Sequence, residues 1–134
     1  MPFVKHKVCL IDDDNIYQFT ARKILESTGL ADEIQSFYNG KEAITYFKDE
    51  HNLQTESLPD VIFLDINMPV MNGWEFLEEY KTVHSHFPKP IVVYVVSSSI
   101  DDNDMRKSRE YKEVSDYIVK PVNRDTYTEL IANL

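Results

Sequence analysis

Four consecutive apolar residues, Val61-Ile62-Phe63-Leu64, run directly into Asp65, and the turn-forming stretch Ile66-Asn67-Met68-Pro69-Val70-Met71-Asn72-Gly73 follows at once. An unbroken apolar run of this length fits a strand buried on both faces, which belongs in a parallel sheet covered on both sides. Asp65 then falls where the strand leaves the core, at the carboxyl edge of the sheet. In open α/β sheets that edge is where ligands bind. Pro69 and Gly73 force a loop, since neither suits a continuing strand. Asn72 is placed to cap the next helix, with Glu75 as its capping-box partner. One carboxylate is thus held on a rigid strand end beside a loop with free backbone groups. Taken alone, the same pattern also fits an aspartate that only caps a turn.

The rest of the chain repeats this unit. Val4 to Ile11 reads as a first strand that ends in Asp12-Asp13-Asp14. Ile16, Phe19, Ile24 and Leu25 follow at near-helical spacing, and Gly29 suits the position just past that helix. Glu33 to Phe37 is a short strand. Asn39-Gly40-Lys41-Glu42 is a second capping-box start, leading into Ala43, Ile44 and Phe47. Residues 49–59 are polar and predict a surface loop. The helix from Gly73 carries Phe76, Leu77, Tyr80 and Val83 on one stripe. Ile91 to Val96 is strongly β-branched and ends in Ser97-Ser98-Ser99. Residues 101–111 form a polar helix with Met105 and Tyr111 as its few anchors. Tyr117-Ile118-Val119 is a short strand ending in Lys120-Pro121. Asn123 caps a last helix that turns Tyr127, Leu130, Ile131 and Leu134 inward. Five βα units in 134 residues predict one α/β domain over residues 1–134, a doubly wound, flavodoxin-like (βα)5 parallel sheet of order 2-1-3-4-5.

That order brings the strand ends together. Asp12 and Asp13 follow the first strand, Asp65 the third, Ser97 the fourth and Lys120 the fifth, all on one edge. Three carboxylates within a few ångströms repel and raise one another's pKa. A divalent cation relieves this, and Mg²⁺ takes all-oxygen coordination through one or two carboxylates and several waters. Asp13 and Asp65 are the expected direct ligands, with Asp12 acting through water and the Asn67 backbone carbonyl as a third protein oxygen. An ionised Asp65 can be a nucleophile toward phosphorus. Phosphoryl transfer needs mainly positioning and charge neutralisation. Mg²⁺, the Lys120 ammonium and the Ser97 hydroxyl with backbone amides would each face one phosphoryl oxygen. An ionised carboxylate has no proton to lose, so no general base is required.

Composition narrows the partners. A formal net charge of −9 argues against direct nucleic-acid binding and against an anionic membrane surface. Cys9 is the single cysteine. It cannot form an internal disulfide, and its place in an apolar strand predicts core packing. The N-terminus lacks the apolar core of a signal peptide, and no run approaches membrane-spanning length, so a cytoplasmic protein is expected. His6, His51, His84 and His86 show no ligand spacing and read as surface residues. Trp74 reads as packing.

The runs Leu10-Ile11-Asp12-Asp13-Asp14, Phe63 to Gly73, Val96-Ser97-Ser98-Ser99 and Tyr117-Ile118-Val119-Lys120-Pro121 together resemble the response-regulator receiver domain of two-component phosphorelay signalling. They span almost the whole chain in that family's order. The resemblance implies that Asp65 accepts a phosphoryl group from a phosphohistidine and that Asp12 and Asp13 form an acidic Mg²⁺ pocket. It makes Ser97 the switch hydroxyl, Lys120 the phosphate-sensing lysine and Tyr117 the rotating aromatic, moving from exposed to buried. Asn67 and Ser99 would tune hydrolysis. The Lys120-Pro121 bond resembles the family's cis peptide. The stretch Glu113-Val114-Ser115-Asp116 departs from the family's usual Gly-Ala, and the loop after the second helix is longer than usual. Ser97 to Asp101 is similar to the stand-alone receivers that pair with sensor histidine kinases, some of phytochrome type.

The resemblance implies a sensor histidine kinase or phosphotransfer partner docking around the Asp65 edge and the first helix. With no output domain expected, output would pass to a downstream protein target, through a homodimer on the face of helix 4, strand 5 and helix 5, or by relay of the phosphoryl group. Two other classes use similar parts. A small Mg²⁺-dependent phosphohydrolase would need an acid two residues after its nucleophile, where this chain has Asn67. A phosphorylation-independent binding module would not need the acids, Ser97 and Lys120.

Overall fold

The computed structural model describes residues 5–134. Five strands, β1 (His6–Ile11), β2 (Ala31–Phe37), β3 (Val61–Leu64), β4 (Val92–Ser97) and β5 (Val114–Val119), alternate with five helices. The helices are α1 (Asn15–Ser27), α2 (Gly40–Lys48), α3 (Gly73–Val83), α4 (Asp102–Arg109) and α5 (Arg124–Ala132). All strand pairings are parallel and the order is β2-β1-β3-β4-β5, as the strand pattern predicts. Val4, expected to open the first strand, lies outside the described residues. Among the described residues no helix is long and apolar enough to cross a membrane.

The central strands β1, β3 and β4 are largely apolar because alternate residues serve two cores. Cys9, Ile11, Ile62, Leu64, Val93 and Val95 pack with Phe47, Phe76, Leu77 and Tyr80 from α2 and α3. Val8, Leu10, Val61, Phe63 and Val96 pack with Ala21, Leu25, Tyr127 and Ile131 from α1 and α5. β3 is buried at every position, so the strand that ends in Asp65 is packed on both faces.

Several sequence expectations need correction. Ile16 and Phe19 are 79% and 64% exposed. At 100° per residue they lie opposite the buried Gln18, Ala21 and Leu25. Gln18 holds the inward position because its amide Nε2 donates to the carbonyls of Asp12 and Phe37 at 3.1 and 3.0 Å. At α2, Asn39 caps as expected, but Glu42 accepts from the Tyr38 N–H rather than from that of Asn39. The polar stretch after α2 contains two short 3-10 turns and ends in a fully buried Leu58. β5 begins at Val114, three residues earlier than its apolar run indicates, because Val114 pairs with Val93 across an irregularity in the ladder. Leu134 lies beyond α5 and is exposed. The Lys120-Pro121 bond is cis.

The β3–α3 connection is fixed by close approach. Asn72 and Glu75 form both halves of the capping box that opens α3. The Gly73 N–H donates to the Ile66 carbonyl at 3.1 Å. A Cβ on Gly73 would lie 2.6 Å from the Asp65 carbonyl oxygen and 2.7 Å from Ile66 Cα. Backbone cannot yield as a side-chain tip can, so Gly73 is required by proximity to the strand end. Gly73→Ala is expected to destabilise the protein by about 1–3 kcal/mol, the usual cost of forced overpacking. Urea unfolding measures it, and a midpoint equal to wild type would contradict this account.

Candidate functional site

The carboxyl edge of the sheet is built by backbone bonds that continue the strands past their last paired residues. Asp12 N–H donates to the Phe37 carbonyl, Asp65 N–H to the Ile11 carbonyl, and Lys120 N–H to the Ser97 carbonyl, at 3.0, 2.9 and 2.9 Å. β1 and β3 are neighbours, so Asp12, Asp13 and Asp65 emerge side by side. One carboxylate oxygen from each lies within 4.8 Å of the others. Asp14 has another task. It caps α1, accepting from the N–H groups of Ile16 and Tyr17.

Asp12 and Asp65 are buried and Asp13 is exposed. Both Asp12 oxygens are engaged, one by the Asp14 N–H at 2.9 Å and the other by Lys120 Nζ at 2.7 Å. Lys120 Nζ stands 3.8 Å from Asp65 Oδ2, so in this state the ammonium rests on Asp12. The Asn67 N–H donates to Asp65 Oδ1 at 3.4 Å, and Asn67 itself is exposed.

Burial pushes the Asp65 carboxyl up to about 6. Lys120 opposes this, Asp12 reinforces it, the Asn67 N–H opposes it and Asp13 adds to the rise. For Lys120, burial disfavours the ammonium, but Asp12 and Asp65 outweigh it and hold the pKa above the ordinary lysine value. Three oxygen-bearing carboxylates so close together, one exposed and one whose burial disfavours its charge, suit a hard divalent cation such as Mg²⁺. They offer no sulfur or imidazole. Among the described residues this is the one group of three or more acids, histidines or cysteines near enough to share a metal. His6, His51 and His84 pair instead with Asp60, Asp49 and Glu113.

Ser97 ends β4 and is fully buried, with its hydroxyl accepting from the Ser99 N–H at 3.1 Å. The half-buried Tyr117 donates its hydroxyl to the Ser99 carbonyl at 2.8 Å. Both groups therefore meet on the backbone of one loop residue. The Ser99 side chain is turned to the helix that follows, donating to Asp104 at 2.7 Å and accepting from the Asp101 N–H. α4 is anchored lightly, with Ser108 its one buried residue. Trp74 stacks on Tyr111 with ring centroids 5.9 Å apart.

One neighbour of the site is not indicated by any motif. The Tyr17 ring lies under Lys120 Nζ, 4.0 Å from the centroid. The sole hint in the sequence is that Tyr17 falls in the first turn after the Asp14 cap. Beside it a groove of about 450 Å³ runs between α1 and α5.

The sequence matches the family described as the response regulator receiver domain over residues 8–132. A two-component response regulator from Cytophaga hutchinsonii is 31% identical, with TM-score 0.83 over 97% of this chain and 99% of that one. FilR2, described as a probable methanogenesis regulatory protein of Methanothrix harundinacea, is 29% identical over 91% of this chain and 74% of its own length. A protein-glutamate methylesterase/protein-glutamine glutaminase of Clostridium acetobutylicum is 34% identical, and there the match spans 31% of the longer protein.

The raised Asp65 carboxyl has a signed consequence. The folded state binds the Asp65 proton more tightly than the unfolded chain, so its contribution to stability is present below about pH 4 and lost as pH rises through about 6. Asp65→Asn is therefore expected to be more stable than wild type at pH 7.5 without divalent cations. The gain is roughly 1–2 kcal/mol after allowance for screening, and it should vanish below about pH 4. Added Mg²⁺ should raise the wild-type melting temperature more than that of the variant. Equal melting temperatures at pH 7.5 and unequal ones at pH 3.5 would reverse this assignment.

Proposed function

The chain belongs to the response regulator receiver family, a family of phosphoacceptors, and from that premise we propose that Asp65 is the residue that takes the phosphoryl group. The observation that carries the reading is the placement of Asp65 beside Asp12 and Asp13, with their oxygens within 4.8 Å and Lys120 within reach of two of them. A sensor histidine kinase or a phosphotransfer protein would supply the group as phosphohistidine. An Asp65 oxygen attacks phosphorus, the P–N bond breaks, and its electron pair stays on the imidazole nitrogen. An acyl phosphate remains on Asp65. Asp65 contributes a lone pair and, once ionised, gives up no proton.

Asp12, Asp13 and Asp65, with the Asn67 carbonyl, would hold Mg²⁺. Bound there, the ion supplies positive charge against the carboxylates and against the incoming phosphoryl oxygens. Lys120 is placed to leave Asp12 for a phosphoryl oxygen, since it has charge to offer and only a short distance to travel. Ser97 would turn its hydroxyl toward another oxygen and release the Ser99 N–H. The Ser99 backbone also holds the Tyr117 hydroxyl, so that release would free the aromatic side chain. The predicted outcome is a population shift on the face of α4, β5 and α5, which a downstream protein or a second copy would read. Asn67 and Ser99 border the acceptor and would tune the lifetime of the acyl phosphate. A cytoplasmic setting belongs to the same reading.

The phosphohydrolase alternative is not favoured. The residue two after Asp65 is the amide Asn67, which cannot act as a general acid. Phosphorylation-independent binding would leave the buried Asp12 and Asp65 without a purpose that offsets their mutual repulsion.

Intact-mass spectrometry after incubation with Mg²⁺ and a small acyl-phosphate donor tests the proposal. Wild type is expected to gain one phosphoryl group, Asp65→Asn none, and wild type in excess chelator none. Lys120→Ala should slow the gain by about 10-fold or more, as loss of a charge-stabilising group does. An adduct of equal yield on Asp65→Asn would move the acceptor elsewhere.

A further inference from the structure

Lys120 sits among three partners, of which two are carboxylates. Its Nζ lies 2.7 Å from Asp12 and 3.8 Å from Asp65. The third is the face of Tyr17, 4.0 Å away. An ammonium has three N–H bonds, and one directed at an aromatic face is favourable when the site is partly desolvated. Lys120 is half-buried, which strengthens that contact.

The ring is itself held. The Tyr17 hydroxyl lies 3.2 Å from that of Tyr127. Tyr127 is 1% exposed and packs edge-on against Phe63 of β3, with centroids 5.1 Å apart. Tyr17 therefore spans from the sheet edge to the core between α1 and α5, and its hydroxyl meets Tyr127 at the far end. The groove between α1 and α5 lies beside it. Without the ring, the Lys120 side chain would be free to swing into that groove.

We infer that Tyr17 is a positioning residue for phosphoryl capture: its ring, anchored through Tyr127, keeps the Lys120 ammonium between Asp12 and Asp65. The inference rests on Lys120 being the lysine that meets the phosphoryl group. The Tyr17 hydroxyl pairs with Tyr127 and not with Asp65. Tyr17 acts through Lys120, and its effect must disappear when Lys120 is absent.

A double-mutant cycle on beryllofluoride binding, in Mg²⁺ and followed by fluorine NMR, tests this. Tyr17→Leu in the otherwise wild-type protein is expected to weaken beryllofluoride roughly 3- to 30-fold, the range that corresponds to a partly desolvated cation–π pair. Tyr17→Phe keeps the ring and should rescue binding to within about 3-fold. In a Lys120→Ala background, Tyr17→Leu should change affinity less than about 2-fold. A residue that only supports packing would lower affinity equally in both backgrounds, and that result would overturn the inference. Should Tyr17→Leu not fold, phenylalanine and pentafluorophenylalanine at position 17 keep the shape while reversing the potential of the ring face. Weaker binding with the fluorinated ring supports the inference, and equal binding overturns it. A wild-type protein that takes up no beryllofluoride would overturn the role of the acidic cleft itself, an outcome distinct from loss of the Tyr17–Lys120 coupling alone.

Discussion

The repulsion among three carboxylates at the end of a buried strand pair governs this molecule. Asp12 and Asp65 are buried, and with Asp13 their oxygens crowd within 4.8 Å. One ammonium, that of Lys120, offsets them from within the chain. Such an edge is tolerated because the sheet behind it is rigid and apolar on both faces. A mobile scaffold would relax the acids apart and lose the site. The same tension makes the edge receptive to a divalent cation.

Rigidity is supplied at short range. The strands are prolonged past their ends by single backbone bonds at Asp12, Asp65 and Lys120. Gln18 binds the ends of β1 and β2 to α1 through its amide. Gly73 lets the start of α3 press against the Asp65 carbonyl. On the other side the order is looser. α4 buries one residue, and β5 is an edge strand with no fully buried residue. The site thus joins a fixed half, which holds the acids and the fully buried Ser97, to a lightly held half that carries Ser99 and Tyr117. On the proposed reading, free energy released at the first would be expressed as movement in the second, which resists least.

Legibility followed the range of the interaction. Asp12, Asp13, Asp65, Ser97 and Lys120 could be placed on one edge because each ends a strand whose apolar run is written locally, and the strand order does the rest. Caps at Asn39, Asn72 and Asn123 were equally readable, since a cap joins residues two or three apart. The solvent face of α1 was not. Spacing says which residues share a face of a helix, while burial depends on what packs there, and an amide displaced the apolar residues by binding strand-end carbonyls. The start of β5 was hidden because Ser115 and Asp116 face solvent on an edge strand.

The sequence by itself determined the α/β class, the strand that ends in Asp65 and the acids at its edge. These follow from apolar runs, caps and turns that act within a few residues. Tertiary structure alone decided how the charges are shared. Lys120 rests on Asp12 across 108 residues, and Tyr17 meets Tyr127 across 110. No local pattern encodes contacts of that span, because they exist only once the sheet has set α1 beside α5.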